Sequence, residues 1–208
     1  MNKIFYVIVL NMLLFSCKES KKQDVEINIE NFPESLDDNE NPDPEEVLPM
    51  YTISQFEANE HYFIRNIDIN NDGVLDKIVI ANPYHGDELL LFVNKNNDYE
   101  FTLKTTNFSE DGGNQIVDVL KTDNGFEIFT AFPDRGLLEA HHYIQYLHNK
   151  WIVTHTIYRT ESGNDVDTFI YNCKVNQNLD LSDEKLLYTL KSLPNEEERE
   201  KVCEIEIN

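Results

Sequence analysis

Ten short runs rich in β-branched and aromatic residues, each closed by turn residues, constrain this chain more than any other feature. They are 61–67, 75–81, 88–94, 99–105, 115–121, 126–132, 141–148, 151–158, 167–175 and 185–190. The junctions carry residues that tolerate positive φ or bond their own backbone: Asn96-Asn97-Asp98, Asp111-Gly112-Gly113-Asn114, Asp123-Asn124-Gly125, Asp134-Arg135-Gly136, His148-Asn149-Lys150 and Ser162-Gly163-Asn164. Alternation within 99–105 places Phe101, Leu103 and Thr105 on one face and Thr102, Lys104 and Thr106 on the other. Strand-turn-strand spacing without helical interludes predicts an all-β antiparallel domain, built as a meander, a sandwich or partial propeller-like sheets. Only 52–59 and 194–201 are compatible with helix, and 192–199 supplies a capping residue and an acidic first turn.

The first hairpin contains the stretch with the clearest chemistry, Asp68-Ile69-Asn70-Asn71-Asp72-Gly73-Val74-Leu75-Asp76. Oxygen-bearing side chains fall at relative positions one, three, five and nine, with glycine at six. A hard cation such as Ca²⁺ takes six to eight oxygens at about 2.3–2.6 Å, and a tightly wound loop turns alternate residues inward to supply them. Asp68, Asn70, Asp72 and Asp76 are the side-chain candidates, with the Val74 carbonyl as a backbone ligand. Position twelve is Val79 where an EF-hand has glutamate, and Ile78-Val79-Ile80-Ala81 reads as a buried strand instead of a helix. The bland reading is that 70–73 is a plain hairpin turn, which leaves Asp68 and Asp76 unexplained.

The pattern D-x-N-x-D-G-x-x-D running into a strand resembles the calcium loops of FG-GAP/VCBS-type repeats, found on the blades of integrin-like β-propellers. The match covers about Asp68 to Asn82 and occurs once. The resemblance implies Ca²⁺ as the cofactor, with Asp76 closing the site. The wider order, with Leu89-Leu90-Leu91-Phe92-Val93 after the loop and a late Lys150-Trp151-Ile152-Val153 strand, is similar to small secreted bacterial FG-GAP-like proteins. Some calcium-loop periplasmic proteins of propeller type inhibit cell-wall hydrolases or confer immunity to them, so the resemblance implies a binding, inhibitor or immunity-type module.

Residues 1–16 read as a signal peptide, with Lys3 ahead of an apolar segment too short to span a bilayer. It ends Leu14-Phe15-Ser16-Cys17, which resembles a bacterial lipobox. That implies lipidation of Cys17 and a lipid anchor in the cell envelope, outside the cytoplasm; a cleaved signal peptide without lipid is the alternative. Residues 17–50 form an acidic tether. Between Asp24 and Glu46 ten carboxylates (Asp24, Glu26, Glu30, Glu34, Asp37, Asp38, Glu40, Asp43, Glu45, Glu46) stand with no Lys or Arg, and Pro33, Pro42 and Pro44 interrupt the segment. Such a stretch buries too little apolar surface to offset its ordering entropy. Residues 51–208 are the β domain, its calcium loop at 68–76.

The formal net charge of −22 makes nucleic acid an unfavourable partner and a basic protein a favourable one. With Cys17 lipidated, Cys173 and Cys203 remain as a disulfide or as two buried thiols. His141 and His142 are strand neighbours and point to opposite faces, so they cannot share a metal. Asp134, Glu139 and Glu161 are the carboxylates available to a cell-envelope glycoside-processing enzyme, and Phe132, Tyr143, Tyr146 and Trp151 the aromatics available to a carbohydrate-binding module. In a chain with 39 acidic residues chance carboxylates are the default, and strand aromatics in period two are more often core. No G-x-S-x-G or Cys/His nucleophile pattern is present. The residues therefore point to a binding module ahead of an enzyme.

Overall fold

The apolar runs pair into two antiparallel sheets that enclose a shared core. The first contains β1 (Tyr62–Ile67), β2 (Asp76–Ala81), β3 (Glu88–Lys95) and β4 (Asp98–Thr106) in that order. The second contains β5 (Gln115–Thr122), β6 (Gly125–Ala131), β7 (Leu138–Leu147), β8 (Lys150–Glu161) and β9 (Phe169–Asp180) as a meander, with β10 (Glu204–Ile207) on its β9 edge. The computed structural model describes residues 51–134, 136–161 and 169–207, all within the unit that begins at Leu48. The signal segment 1–16, Cys17, the acidic stretch 17–50, Arg135 and the Ser162-Gly163-Asn164 turn lie outside the described residues. The domain is all-β, and among the described residues no helix is long and apolar enough to cross a membrane.

Strands β2 and β3 read as unbroken apolar runs because both of their faces are covered. Ile78, Ile80, Leu89 and Leu91 meet Ile116, Phe126, Ile128, Ile144, Trp151 and Val153 of the second sheet. Val79, Leu90 and Phe92 point the other way, into a cluster closed by Phe56 of α1 (Ser54–Glu57). There Phe56 packs edge-on against Tyr62 and Phe92, with ring centroids 5.0 and 6.1 Å apart. This edge-to-face geometry adds to the area each ring buries.

One expected face is corrected by a bulge. Leu91 pairs with Leu103 but Phe92 pairs with Phe101, which leaves Thr102 as an extra residue in β4. The insertion reverses side-chain parity, so Leu103 faces the inter-sheet core while Phe101 joins the α1 cluster. The run 185–190 is corrected too. Its centre is α2 (Leu186–Thr189), one helical turn and not a strand. Asp183 starts it, taking the Lys185 amide on its side chain (2.8 Å) and the Leu186 amide on its carbonyl (2.9 Å).

Beyond the reach of the first sheet, the second is covered by the C-terminal segment. Ala140, Tyr158, Tyr171 and Cys173 are buried against Leu193 and Cys203. Tyr158 donates to the Lys191 carbonyl at 2.8 Å, and Gln177 makes a two-way bond with the Lys191 backbone. Helix α3 (Glu196–Val202) is capped by Asn195, whose side chain accepts from Glu198 N. Cys173 and Cys203 are disulfide-bonded, which holds the start of β10 beside β9. Gly125, at the β5–β6 turn, has φ +152, and a Cβ there would lie 2.2 Å from the Ile144 carbonyl oxygen, so no larger residue fits without moving backbone.

Candidate functional site

The loop at 68–76 is the connection between β1 and β2. Register pairs Ile67 with Asp76, so the eight residues 68–75 between them stand outside the ladder, far more than a two-residue hairpin turn uses. The loop wraps its backbone around its own oxygens. Asp68 accepts from Asp72 N through Oδ1 (3.1 Å) and from Gly73 N through Oδ2 (3.0 Å). Asn70 Oδ1 accepts from Asp72 N (3.0 Å), and Asp72 Oδ1 from Val74 N (2.8 Å). Positive φ at Asn71 (61°) and Gly73 (86°) produces this winding.

Asp76 anchors the base of the loop. It is fully buried, and its two oxygens accept the amides of Ile69 (3.0 Å) and of Asn94 on β3 (2.9 Å). Asn94 also donates from Nδ2 to the Leu75 carbonyl at 3.1 Å. On the other side Trp151 Nε1 donates to the Ile69 carbonyl at 3.2 Å, so the loop is pinned to both sheets. Burial pushes the Asp76 carboxyl above the usual range; the Asn94 and Ile69 amides pull it down, and Asp72 and Asp68 push it further up. Among the described residues no Lys, Arg or His forms an ion pair with Asp68, Asp72 or Asp76. The lysine next in sequence, Lys77, is taken by Glu57 at 2.8 Å. Nor do three or more His, Cys, Asp or Glu side chains among the described residues converge as a metal cage. The oxygens of Asp68 and Asp76 each receive one amide, which leaves each a further lone pair.

No family model, curated protein or solved structure matches this chain.

Away from the loop, the histidines, carboxylates and aromatic residues separate clearly. His141 and His142 face opposite sides of β7. His142 is buried, stacked on Phe108 with centroids 4.0 Å apart and bonded to Thr156 Oγ1 at 3.0 Å. His141 lies on the far face, stacked on Phe129, with Nδ1 2.7 Å from Glu127 Oε1. That contact, with the imidazole's charge, holds the Glu127 carboxyl below its ordinary range despite burial. His141 Nε2 is buried and has no hydrogen-bond partner among the described residues; it lies 3.7 Å from Glu139 Oε2. Glu139 is engaged by Arg159 at 2.8 Å, and Glu161 accepts from Leu137 N at 3.2 Å. Trp151 and Tyr146 pack in the inter-sheet core, whereas Tyr143 stacks on His155 on the far face. The four aromatics therefore do not share one platform.

A surface cavity of about 430 Å³ lies between Tyr84, Asp87, Ser109, Glu110, Asp111 and Gln115. Its serine accepts from Ile116 N and has no histidine among the lining residues to activate it. Asn94, Glu127, His61 and His85 meet their partners across strands or turns, where no local spacing announces them.

Proposed function

We propose that the protein is a lipid-anchored, extracytoplasmic β domain whose 68–76 loop binds Ca²⁺, and that it acts as a non-enzymatic binding module of inhibitor or immunity type. The observation that carries this reading is Asp76: a fully buried carboxylate with Asp72 and Asp68 as its charged neighbours and, among the described residues, no cationic side chain paired with it. A cation held by Asp68, Asn70, Asp72, Asp76 and the Val74 carbonyl would supply the missing charge, and an all-oxygen donor set fits a hard ion. The acidic chain favours a basic protein partner, and the Cys17 anchor would hold it at a membrane surface.

Extracellular modules bind Ca²⁺ at about 10⁻⁴–10⁻³ M, so 10 mM Ca²⁺ is expected to stabilise the domain by about 1.4–2.7 kcal/mol. A thermal melt in Ca²⁺ against EDTA measures this, and Asp72→Ala is expected to abolish the difference. Asp72 is the better test position because it is exposed, whereas Asp76 also holds two backbone amides. The pH dependence has a definite sign. A raised folded pKa means that protonating Asp76 stabilises the fold in acid, and that this contribution is lost as pH rises through the folded value. A bound cation removes that penalty, so the calcium effect is expected to be larger at neutral pH than in the carboxylate range. Equal melting temperatures with Ca²⁺ and EDTA at neutral pH would contradict the proposal.

The anchor has its own test. Cys17→Ser is expected to move the protein from the membrane fraction to the soluble fraction, read by fractionation. A cleaved Cys17→Ser protein that stays with the membrane would argue for a protein tether in place of lipid.

A further inference from the structure

His61 and His85 are separated by 24 positions in sequence, yet their Nδ1 atoms lie 2.8 Å apart. Both residues are exposed, and neither imidazole makes any other side-chain hydrogen bond among the described residues. The backbone holds them together. Asn82 N donates to the His61 carbonyl (2.8 Å), and His85 N donates to the Asn82 carbonyl (2.9 Å). Asn82 Nδ2 also donates to the Glu60 carbonyl (2.6 Å), and His61 N donates to Asn59 Oδ1 (3.0 Å). The turn between them contains Tyr84 at φ +66, a conformation that side-chain-bearing residues adopt reluctantly and that the surrounding contacts must enforce.

We propose that His61 and His85 form a transition-metal site, chelating one ion through both Nδ1 atoms and favouring Cu²⁺ or Ni²⁺. With metal–nitrogen bonds of about 2.0–2.1 Å, a nitrogen separation of 2.8 Å gives an N–metal–N angle of about 84–89°. That is the right angle of a tetragonal or square-planar ion; a tetrahedral Zn²⁺ site would hold the two nitrogens about 3.3 Å apart. The rings also meet at an angle. Their centroids are 4.4 Å apart, less than the about 5.1 Å of a head-on pair, and two imidazoles sharing a third atom must be bent in this way. Solvent completes the coordination, since both side chains are exposed, and the strongly negative chain concentrates divalent cations around them. Each imidazole then carries its proton on Nε2 and presents a free lone pair at Nδ1. This site is separate from the 68–76 loop and does not depend on Ca²⁺ binding there.

The test is Cu²⁺ electron paramagnetic resonance and Ni²⁺ titration calorimetry on the full chain carrying Cys17→Ser, which removes the thiol that would compete for or reduce copper. The expected result is one Cu²⁺ per chain with an axial spectrum split by two equatorial nitrogens. Ni²⁺ is expected to bind at the same site, undisplaced by excess Ca²⁺. His61→Asn and His85→Asn are each expected to weaken binding at least about tenfold, because two-point attachment becomes one-point. Wild-type spectra without two-nitrogen coupling would overturn the proposal whatever the variants do. Unchanged affinity in both variants, or tighter binding of Zn²⁺ than of Ni²⁺, would overturn it as well.

Discussion

Trp151→Ala is expected to destabilise the domain by about 3–5 kcal/mol, a large part of the stability of a typical domain. The indole is buried in the inter-sheet core beside Tyr146, with ring centroids 5.0 Å apart, and its Nε1 donates to the Ile69 carbonyl, tying the loop to the second sheet. Truncation removes the packing, leaves a cavity between the sheets, and orphans a carbonyl at the start of the loop. Trp151→Phe is the milder variant: it keeps an aromatic ring in the core but loses the N–H and part of the indole's volume, and is expected to give up about 1–3 kcal/mol. Chemical denaturation followed by circular dichroism is the appropriate measurement, because Trp151 is the single tryptophan and fluorescence disappears with it. A Trp151→Ala protein within about 1 kcal/mol of wild type would show that the sheets do not close on this side chain.

Acid is expected to destabilise the domain through His142. Burial pushes its pKa down to about 3, and nearby His141 adds to the shift. A depressed folded pKa contributes stability that is present above the unfolded value of 6.5 and is lost as pH falls towards the folded one. Between those limits the loss approaches about 1.4 kcal/mol per pH unit. Thr156 accepts from Gln177 Nε2 at 3.2 Å, which leaves its own proton for Nδ1 of the neutral imidazole. The same arrangement makes His142→Leu a usable control, because Thr156 keeps Gln177 as a partner. Denaturation midpoints from pH 7 to pH 4 are expected to fall steeply in wild type and clearly less in His142→Leu. Parallel curves would mean that the lowered carboxylates, Glu88, Glu127 and Asp180, account for the acid sensitivity instead.

Most strands were legible because they carry β-rich runs between residues suited to turns, and each of β1 to β9 overlaps an expected run, β7, β8 and β9 extending beyond theirs. What failed depended on contacts between distant residues. The alternation in β4 presumes an unbroken register, and nothing in Thr102 itself marks it as the bulged residue. Leu186 to Thr189 has strand-like composition, but Asp183 captures the preceding amides and turns them into a helix. Strand β10 is four residues long and is placed by a disulfide that sequence left open. In the candidate site, the inward spacing of Asp68, Asn70, Asp72 and Asp76 is local and could be read directly. Its supports, Asn94 and Trp151, arrive from other strands and could not. The same holds for His61 and His85, brought together by Asn82.

Direct titration shows whether the 68–76 loop is the calcium site proposed above. Isothermal calorimetry of Ca²⁺ into the full chain is expected to show one site of about 10⁻⁴–10⁻³ M above the weak background of the acidic stretch. In Asp72→Ala, with the fold verified by circular dichroism, that site is expected to vanish while the background stays. An isotherm that is the same in wild type and Asp72→Ala would contradict the claim and leave the loop as an elaborate hairpin connection held by its own amides.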